Sequence, residues 1–225
     1  MFPVKEKNLF ILSKYSKNNK YIYFLFQNNL SLIVINWLFQ GLSQMDKGEK
    51  IYHVIIDLLL ASILLLIFSI QWYSALFISH TVNWMLNSHF WTFARFLYIP
   101  SNSKKKTEKY ISGVSKRLTK YGFFEFVIII GGISRRKHTG VYSDIDIKFI
   151  RKKGAYYLFF ANLFLSCEKI ICFFKMIPLD GYVMDSAKSI GKKVRRDEAP
   201  LLLYMDLATK DIYPEYNKFY NSVKN

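Results

Sequence analysis

Charge is what this sequence lacks over a large part of its length. None of residues 58–94 is Asp, Glu, Lys or Arg, and Arg95 ends this run of 37 residues. One helix of that length would measure about 55 Å, whereas the hydrocarbon core of a bilayer is about 30 Å thick. Two helices fit better, over residues 54–70 and 73–98, with a join around residues 69–72. The pattern therefore predicts an apolar helical hairpin within residues 51–100.

Both flanks of the uncharged run are basic, with Lys47 and Lys50 before it and three lysines at residues 104–106 after it. A hairpin places both flanks on one side of a membrane, and positively charged flanks favour the cytoplasmic side. The alternative is a buried helical pair in a soluble protein, which is favoured by the polar side chains Asp57, Asn83, Asn87, His80 and His89. We interpret the two histidines of the run as packing residues without a chemical role.

Cysteine is scarce, since Cys167 and Cys172 are the only two and stand five positions apart in an apolar run. This spacing excludes a disulfide framework and a CxxC motif, so we expect both side chains in a buried core. A clean secretory signal is also lacking. Lys14, Lys17 and Lys20 interrupt the apolar segment that such a peptide needs.

Acidic residues are half as frequent as basic ones, 16 against 32, which gives a formal net charge of +16. Because 52% of the residues are hydrophobic, an anionic membrane surface is one expected partner. A polyanion such as a nucleoside triphosphate or nucleic acid is the other. Nucleic acid is disfavoured as the main partner, because no aromatic-rich basic motif is present.

The composition divides the chain into four segments. Residues 1–50 form a basic N-terminal extension, whose uncharged stretch 21–45 is either an interfacial helix or a weak first span. Met45 is an alternative start of the chain. Residues 51–100 are the apolar hairpin, residues 104–205 read as a water-soluble domain, and residues 206–225 form a tail.

Local patterns within residues 104–205 predict an α+β domain. Apolar residues recur at helical spacing over residues 107–121, and Gly122 follows as a C-cap. Residues 123–130, 144–150 and 177–184 read as strands. The long apolar stretch 155–176 reads as a helix that covers the sheet. We therefore expect the order helix, strand, loop, strand, helix, strand.

The chemistry is expected where the first strand ends in Gly131 and Gly132. Without a Cβ, both residues let the backbone approach an anion such as a phosphate. After eleven intervening residues, Asp144 and Asp146 open the next strand. Residues i and i+2 of a strand share one face, so the two carboxylates lie side by side and favour a divalent cation such as Mg²⁺.

A third carboxylate is expected on a neighbouring strand. Two residues qualify, Asp180 early in the strand and Asp185 at its end, and we favour Asp180. The combination of strand, glycine pair, Asp-x-Asp and later lone acid is far more specific than any of its parts.

This combination resembles the DNA polymerase β superfamily of nucleotidyltransferases. More closely, the chain is similar to small prokaryotic nucleotidyltransferase-domain proteins that carry an apolar hairpin before the catalytic domain and are often associated with surface-polysaccharide loci. Three stretches carry the closer likeness, namely residues 79–87, the loop Ser134-Arg135 and residues 178–186. The resemblance covers roughly residues 46–205. It implies a mixed sheet with flanking helices for residues 104–205.

The resemblance also implies roles for the acidic residues. Asp144, Asp146 and Asp180 would bind two Mg²⁺ ions, and Asp180 would help deprotonate the acceptor hydroxyl. The acceptor oxygen would attack the α-phosphorus of a nucleoside triphosphate, and pyrophosphate would leave.

Phosphate binding is implied for the loop that follows the first strand. Gly131, Gly132 and Ser134 would cradle the β- and γ-phosphates, and Arg135 or Arg136 would neutralise triphosphate charge. The sequence does not identify the acceptor. Two alternatives remain open, an antitoxin-type nucleotidyltransferase that modifies a protein or RNA, and a catalytically inactive membrane scaffold.

Overall fold

The structure is a computed structural model that describes residues 29–40, 42, 44–91, 103–134, 144–191 and 200–206. The chain divides into two units, residues 1–40 and residues 41–225. The first unit contains helix α1 (Asn29–Phe39), which carries no charged residue. The N-terminal extension before residue 29 lies outside the described residues.

A four-stranded mixed sheet forms the centre of the second unit. Its strands are β1 (Phe124–Ile130), β2 (Ile145–Arg151), β3 (Leu179–Met184) and β4 (Leu201–Met205), in the order β3-β2-β1-β4. Strand β1 is antiparallel to β2 and β4, whereas β2 and β3 are parallel. The expected α+β class with a mixed sheet is therefore confirmed.

Two helices cover one face of the sheet. They are α4 (Lys104–Leu118) and α5 (Ala155–Phe174), and α5 forms the crossover from β2 to β3. Val114 of α4 and Leu165 of α5 belong to the same buried cluster as Ile147 and Phe149 of β2. The opposite face has its own smaller cluster, to which the short helix α6 (Ala187–Gly191) contributes Ile190.

A helical hairpin precedes the sheet in the chain. Helix α2 (Lys47–Phe68) and helix α3 (Trp72–Trp84) are separated by Ser69, which is left-handed with φ 50°. A five-residue π-helix, Met85–His89, continues from α3. The expected join at residues 69–72 is confirmed. Helix α2 begins seven residues earlier than expected, and one face of its first turns, with Gly48, Glu49 and Tyr52, is buried.

Other differences from the sequence-based expectations are local. Strand β4 was not expected. Helix α4 starts earlier, because the hydroxyl of Ser103 accepts a hydrogen bond from the Lys106 N–H, and its C-cap is Thr119 rather than Gly122. The expectation of two buried cysteines is wrong for Cys167, which is exposed, and right for Cys172.

Two helices are long and apolar enough to cross a membrane by length and composition, α2 and α5. Burial separates them, since 39% of the apolar window of α5 is buried and only 17% of that of α2. Helix α5 is a core helix of the sheet domain. Most of α2 beyond its first turns presents apolar side chains at the surface.

Candidate metal centre

Strand pairing brings together two of the three acidic residues. Asp146 on β2 and Asp180 on β3 are direct partners in the parallel ladder. Asp144 stands immediately before β2, two residues from Asp146. One carboxylate oxygen from each residue lies within 4.8 Å of the other two, and all three side chains are half-buried. The structure therefore groups Asp144, Asp146 and Asp180 in a donor set that could hold a metal ion.

Electrostatics within the group fit a cation. Burial, first, and then the negative charges of Asp180 and Asp144 together raise the pKa of Asp146 to about 8, with Lys148 opposing them. Three carboxylates at this spacing repel each other unless a proton or a positive ion lies between them. Hard oxygen ligands of this kind suit Mg²⁺, which takes one or two carboxylates together with substrate phosphates.

The end of β1 lies directly against this group. Ile130 pairs with Asp146 across the sheet, and Gly131 follows with φ 81°. A Cβ atom on Gly131 would collide with the carboxylate of Asp146. Glycine is needed here for two reasons, because the backbone is left-handed and because the Asp146 carboxylate occupies the space.

The turn after β1 spans residues 131–134 and contains three of the four residues expected to contact phosphate. Gly132 and Ser134 are half-buried there. The Ser134 hydroxyl donates a hydrogen bond of 3.0 Å to the Gly131 carbonyl, which closes the turn beside the acidic group. Arg135, like Arg136, lies outside the described residues.

Two buried residues on the same sheet face extend the site. Lys148 on β2 and Tyr182 on β3 are ladder partners, one pleat further along than Asp146 and Asp180. The Lys148 Nζ lies 4.0 Å from the centre of the Tyr182 ring. Burial raises the pKa of Tyr182 well above its ordinary value, helped by the charge of Asp180, so the hydroxyl stays protonated and hydrogen-bonds to Asp180. Lys148 shares the face of Asp146 because residues two apart on a strand do so, whereas no sequence signal pointed to Tyr182.

Asp185, the other acidic residue considered for the third position, has a different environment. Its carboxylate accepts hydrogen bonds from the Gly48 N–H at 3.1 Å and from Arg151 Nε at 3.0 Å. Its own N–H donates to Asp46 at 3.0 Å. Asp185 therefore joins the start of α2 to the end of β3, and we call this set of contacts the Asp185 joint.

A buried charged pair lies next to the joint. Glu49 of α2 and Lys169 of α5 are both almost fully inaccessible, with 3.9 Å between Oε1 and Nζ. Burial lowers the pKa of Lys169, while the charges of Glu49 and Asp180 oppose that effect. The Lys169 Nζ is also 5.7 Å from the Tyr182 ring. The base of the hairpin is thus electrostatically linked to the acidic group through Lys169 and Tyr182.

Comparison of the chain with protein-family models, with curated proteins and with solved structures gives no match.

Proposed function

We propose that this chain is a Mg²⁺-dependent nucleotidyltransferase that moves a nucleoside monophosphate from a nucleoside triphosphate to an acceptor at the cytoplasmic face of a membrane. The observation that carries the proposal is the convergence of Asp144, Asp146 and Asp180 within 4.8 Å, beside the glycine turn that ends β1. Three clustered acids next to a turn that opens with two glycines suit a metal-bound triphosphate. The arrangement also agrees with the resemblance to polymerase β-type enzymes.

In this reaction the residues of the site would have different roles. Asp144, Asp146 and Asp180 would hold Mg²⁺, which supplies positive charge for the triphosphate and the departing pyrophosphate. Asp180 would also accept the proton of the acceptor hydroxyl. The Tyr182 hydroxyl, hydrogen-bonded to Asp180, would fix the orientation of that carboxylate. The backbone at Gly131 and Gly132 would approach the β- and γ-phosphates.

The apolar hairpin supports the membrane part of the proposal. Its surface carries many exposed large apolar side chains, and a soluble monomer rarely exposes a contiguous apolar patch of that kind. The net charge of +16 favours an anionic surface. An acceptor held at a membrane, such as a lipid-linked sugar in surface-polysaccharide metabolism, fits this placement.

The proposal is tested by measuring pyrophosphate release from each of the four nucleoside triphosphates with Mg²⁺, using the full chain in detergent. We expect Asp144→Asn, Asp146→Asn and Asp180→Asn each to lower turnover by roughly 100-fold or more, since each removes a charge that positions the metal. Glu108→Gln is the control, because it removes an exposed carboxylate on α4.

Unfolding by denaturant distinguishes a variant that has lost only its active site from one that has lost its fold. Because Asp146 is repelled by two neighbouring carboxylates, we expect Asp146→Asn to need more denaturant for unfolding than the parent in the absence of Mg²⁺. Full turnover in all three Asn variants would overturn the proposed enzyme activity.

A further inference from the structure

The outer part of the hairpin, which we call the tip, consists of residues 58–79. It contains no charged residue. Leu66 is the most exposed of its large apolar side chains, at 84%. The exposed set also includes Leu58, Leu59, Ile63, Leu65, Ile67, Phe68, Trp72, Tyr73, Leu76, Phe77 and Ile78. A continuous apolar surface of this size requires a nonpolar environment.

A group of polar side chains marks where the tip ends. The His80 ring lies 3.0 Å from the Asp57 carboxylate, and the Asn83 amide donates to the same carboxylate at 2.7 Å. Asn83 also contacts His53 at 3.3 Å, and His53 contacts Asn87 at 2.9 Å. Ionisable side chains are costly within hydrocarbon, and Asp57 and His80 keep partial exposure. This group, the polar belt, therefore fits the headgroup level of a bilayer.

The distance from the polar belt to the turn is too short for a full span. Phe68, the last residue of α2, stands eleven positions after Asp57. At 1.5 Å per residue the tip is about 16 Å long, against a hydrocarbon core of about 30 Å. The tip thus matches the depth of one leaflet.

The base of the hairpin cannot move deeper to make up the difference. Gly48 and Glu49 are buried at the start of α2 and are held by Asp185 and Lys169. Tyr52 contacts the Ser166 hydroxyl of α5 at 3.3 Å. Deeper insertion would carry these charged contacts, together with the edge of the sheet domain, into hydrocarbon, which opposes insertion strongly.

The base carries the charge that suits lipid headgroups. Lys47 is exposed and Lys50 is half-exposed at the start of α2, and the exposed residues 104–106 at the start of α4 are all lysine. Each basic residue near an anionic surface contributes about 1 kcal/mol of attraction. The apolar tip and the basic base together match the two layers of a single anionic leaflet.

We propose that the hairpin tip inserts into one leaflet only, so that the turn at residues 69–71 lies near the bilayer midplane and the polar belt lies among anionic headgroups. This inference depends on the membrane part of the proposed function and not on its catalytic part. It assigns the acyl chains of a single leaflet as the partner of the tip.

The test uses single-cysteine variants in a Cys167→Ser, Cys172→Ala background, bound from outside to sealed vesicles of phosphatidylcholine and phosphatidylglycerol. A membrane-impermeant maleimide is supplied outside, or trapped in the lumen. Once the chain is bound to vesicles, we expect Leu66→Cys in the tip to be labelled from neither side. Lys116→Cys on α4, which is exposed, is the control and should be labelled from outside only.

Depth is measured with bimane on the same cysteine and lipids brominated at different acyl positions. We expect bromines near the chain ends to quench bimane at Leu66→Cys most strongly. At Val54→Cys, at the level of the polar belt, bromines near the headgroups should quench most. Labelling of Leu66→Cys from the lumen would mean a full span and would overturn the inference.

Two further outcomes would also overturn the inference. Labelling of Leu66→Cys from outside, together with loss of vesicle binding, would show that the tip does not hold the chain at the membrane. That result would not bear on nucleoside triphosphate turnover. Protection of Leu66→Cys in the absence of lipid would mean that another protein chain covers the tip. Nucleotide turnover by the parent chain, measured in parallel, reports the catalytic part separately.

Discussion

At the scale of single residues, Gly131 is where backbone conformation and the candidate chemistry meet. Gly131→Ala would introduce a methyl group against the Asp146 carboxylate and would strain a φ of 81°. We expect turnover to fall at least about tenfold, and the free energy of unfolding to fall by about 1–2 kcal/mol. Both are measured on the purified chain, by pyrophosphate release and by urea unfolding.

Gly113→Ala is the matched control for that substitution. Gly113 lies within helix α4, where a Cβ would meet only the end of the flexible Arg117 side chain. Alanine is preferred over glycine in a helix by about 1 kcal/mol, so this variant should be slightly more stable and equally active. Equal activity of Gly131→Ala and Gly113→Ala would contradict the role given to the turn.

Asp146 also predicts how Mg²⁺ binding depends on pH. Its pKa is raised to about 8 in the metal-free chain, whereas an unfolded Asp titrates near 3.9. Between these values the folded state holds one more proton than the unfolded state, so the free energy of unfolding falls as pH rises towards 8 and levels off above it.

Mg²⁺ must displace that proton to bind. We therefore expect the apparent Mg²⁺ affinity to rise by up to about tenfold per pH unit below pH 8 and to become constant above it. Titration calorimetry in buffers of different ionisation enthalpy measures both the affinity and the released proton. An affinity independent of pH between about 6 and 8 would show that Asp146 is already ionised.

At the scale of secondary structure elements, the contact between α2 and α5 depends on a buried charge. Both oxygens of Glu49 lack a hydrogen-bond partner among the described residues, and Lys169 lies 3.9 Å away. Removing one member of a buried pair leaves the other uncompensated, so we expect Glu49→Gln to cost about 3–5 kcal/mol of folding free energy. Urea unfolding in detergent measures this loss.

The double variant Glu49→Leu, Lys169→Met completes the comparison. Because it removes both charges and keeps the volume nearly constant, it should recover most of the lost stability. Glu108→Gln at the exposed Lys104 pair should change stability by less than about 0.5 kcal/mol. A double variant as unstable as Glu49→Gln would show that the charges do not act on each other.

The elements with strong local signals were predictable from the sequence. Strands β1, β2 and β3, helix α5, the break in the hairpin and the Asp-x-Asp pair follow from the hydrophobic period, the positions of glycine and the alternation within strands. Strand β4 was missed, because its five residues, Leu201–Met205, give too short an apolar run within a polar segment.

Burial that depends on partners far away in the sequence was harder to predict. The first turns of α2 contain Lys47, Glu49 and Lys50, so their composition indicated a solvated flank rather than a buried base. Glu49 is buried because Lys169 lies opposite, 120 positions further along the chain. The preference for Asp180 over Asp185 agrees with the grouping of the carboxylates, but pattern alone gave no sign that Asp185 joins α2 to β3.

At the scale of the whole molecule, the apolar tip and the basic surface make separable contributions to membrane binding. We expect the parent chain to float with anionic vesicles and to stay bound in high salt, because salt screens charge but leaves apolar burial intact. Leu66→Asp should weaken the salt-resistant binding roughly 100-fold, since a carboxylate in the hydrocarbon costs about 3 kcal/mol.

Lys120→Asp provides the contrast, because it changes the net charge more than Leu66→Asp does but lies in the exposed turn just after α4. It should weaken binding at low salt and leave the salt-resistant fraction unchanged. Complete release of the parent chain by salt would leave electrostatic attraction as the sole mode of attachment.

The Asp185 joint has a practical consequence for anyone who trims this protein. The sequence predicts residues 104–205 as a water-soluble domain, yet expressing that domain alone removes Asp46 and Gly48, which Asp185 contacts. The isolated domain would also lose Met45 from the second core cluster, and the buried Lys169 ammonium would lose the neighbouring charge of Glu49. A portion that keeps the Asp185 joint intact therefore includes the base of the hairpin, so the proposed membrane-binding and catalytic parts have to be expressed together.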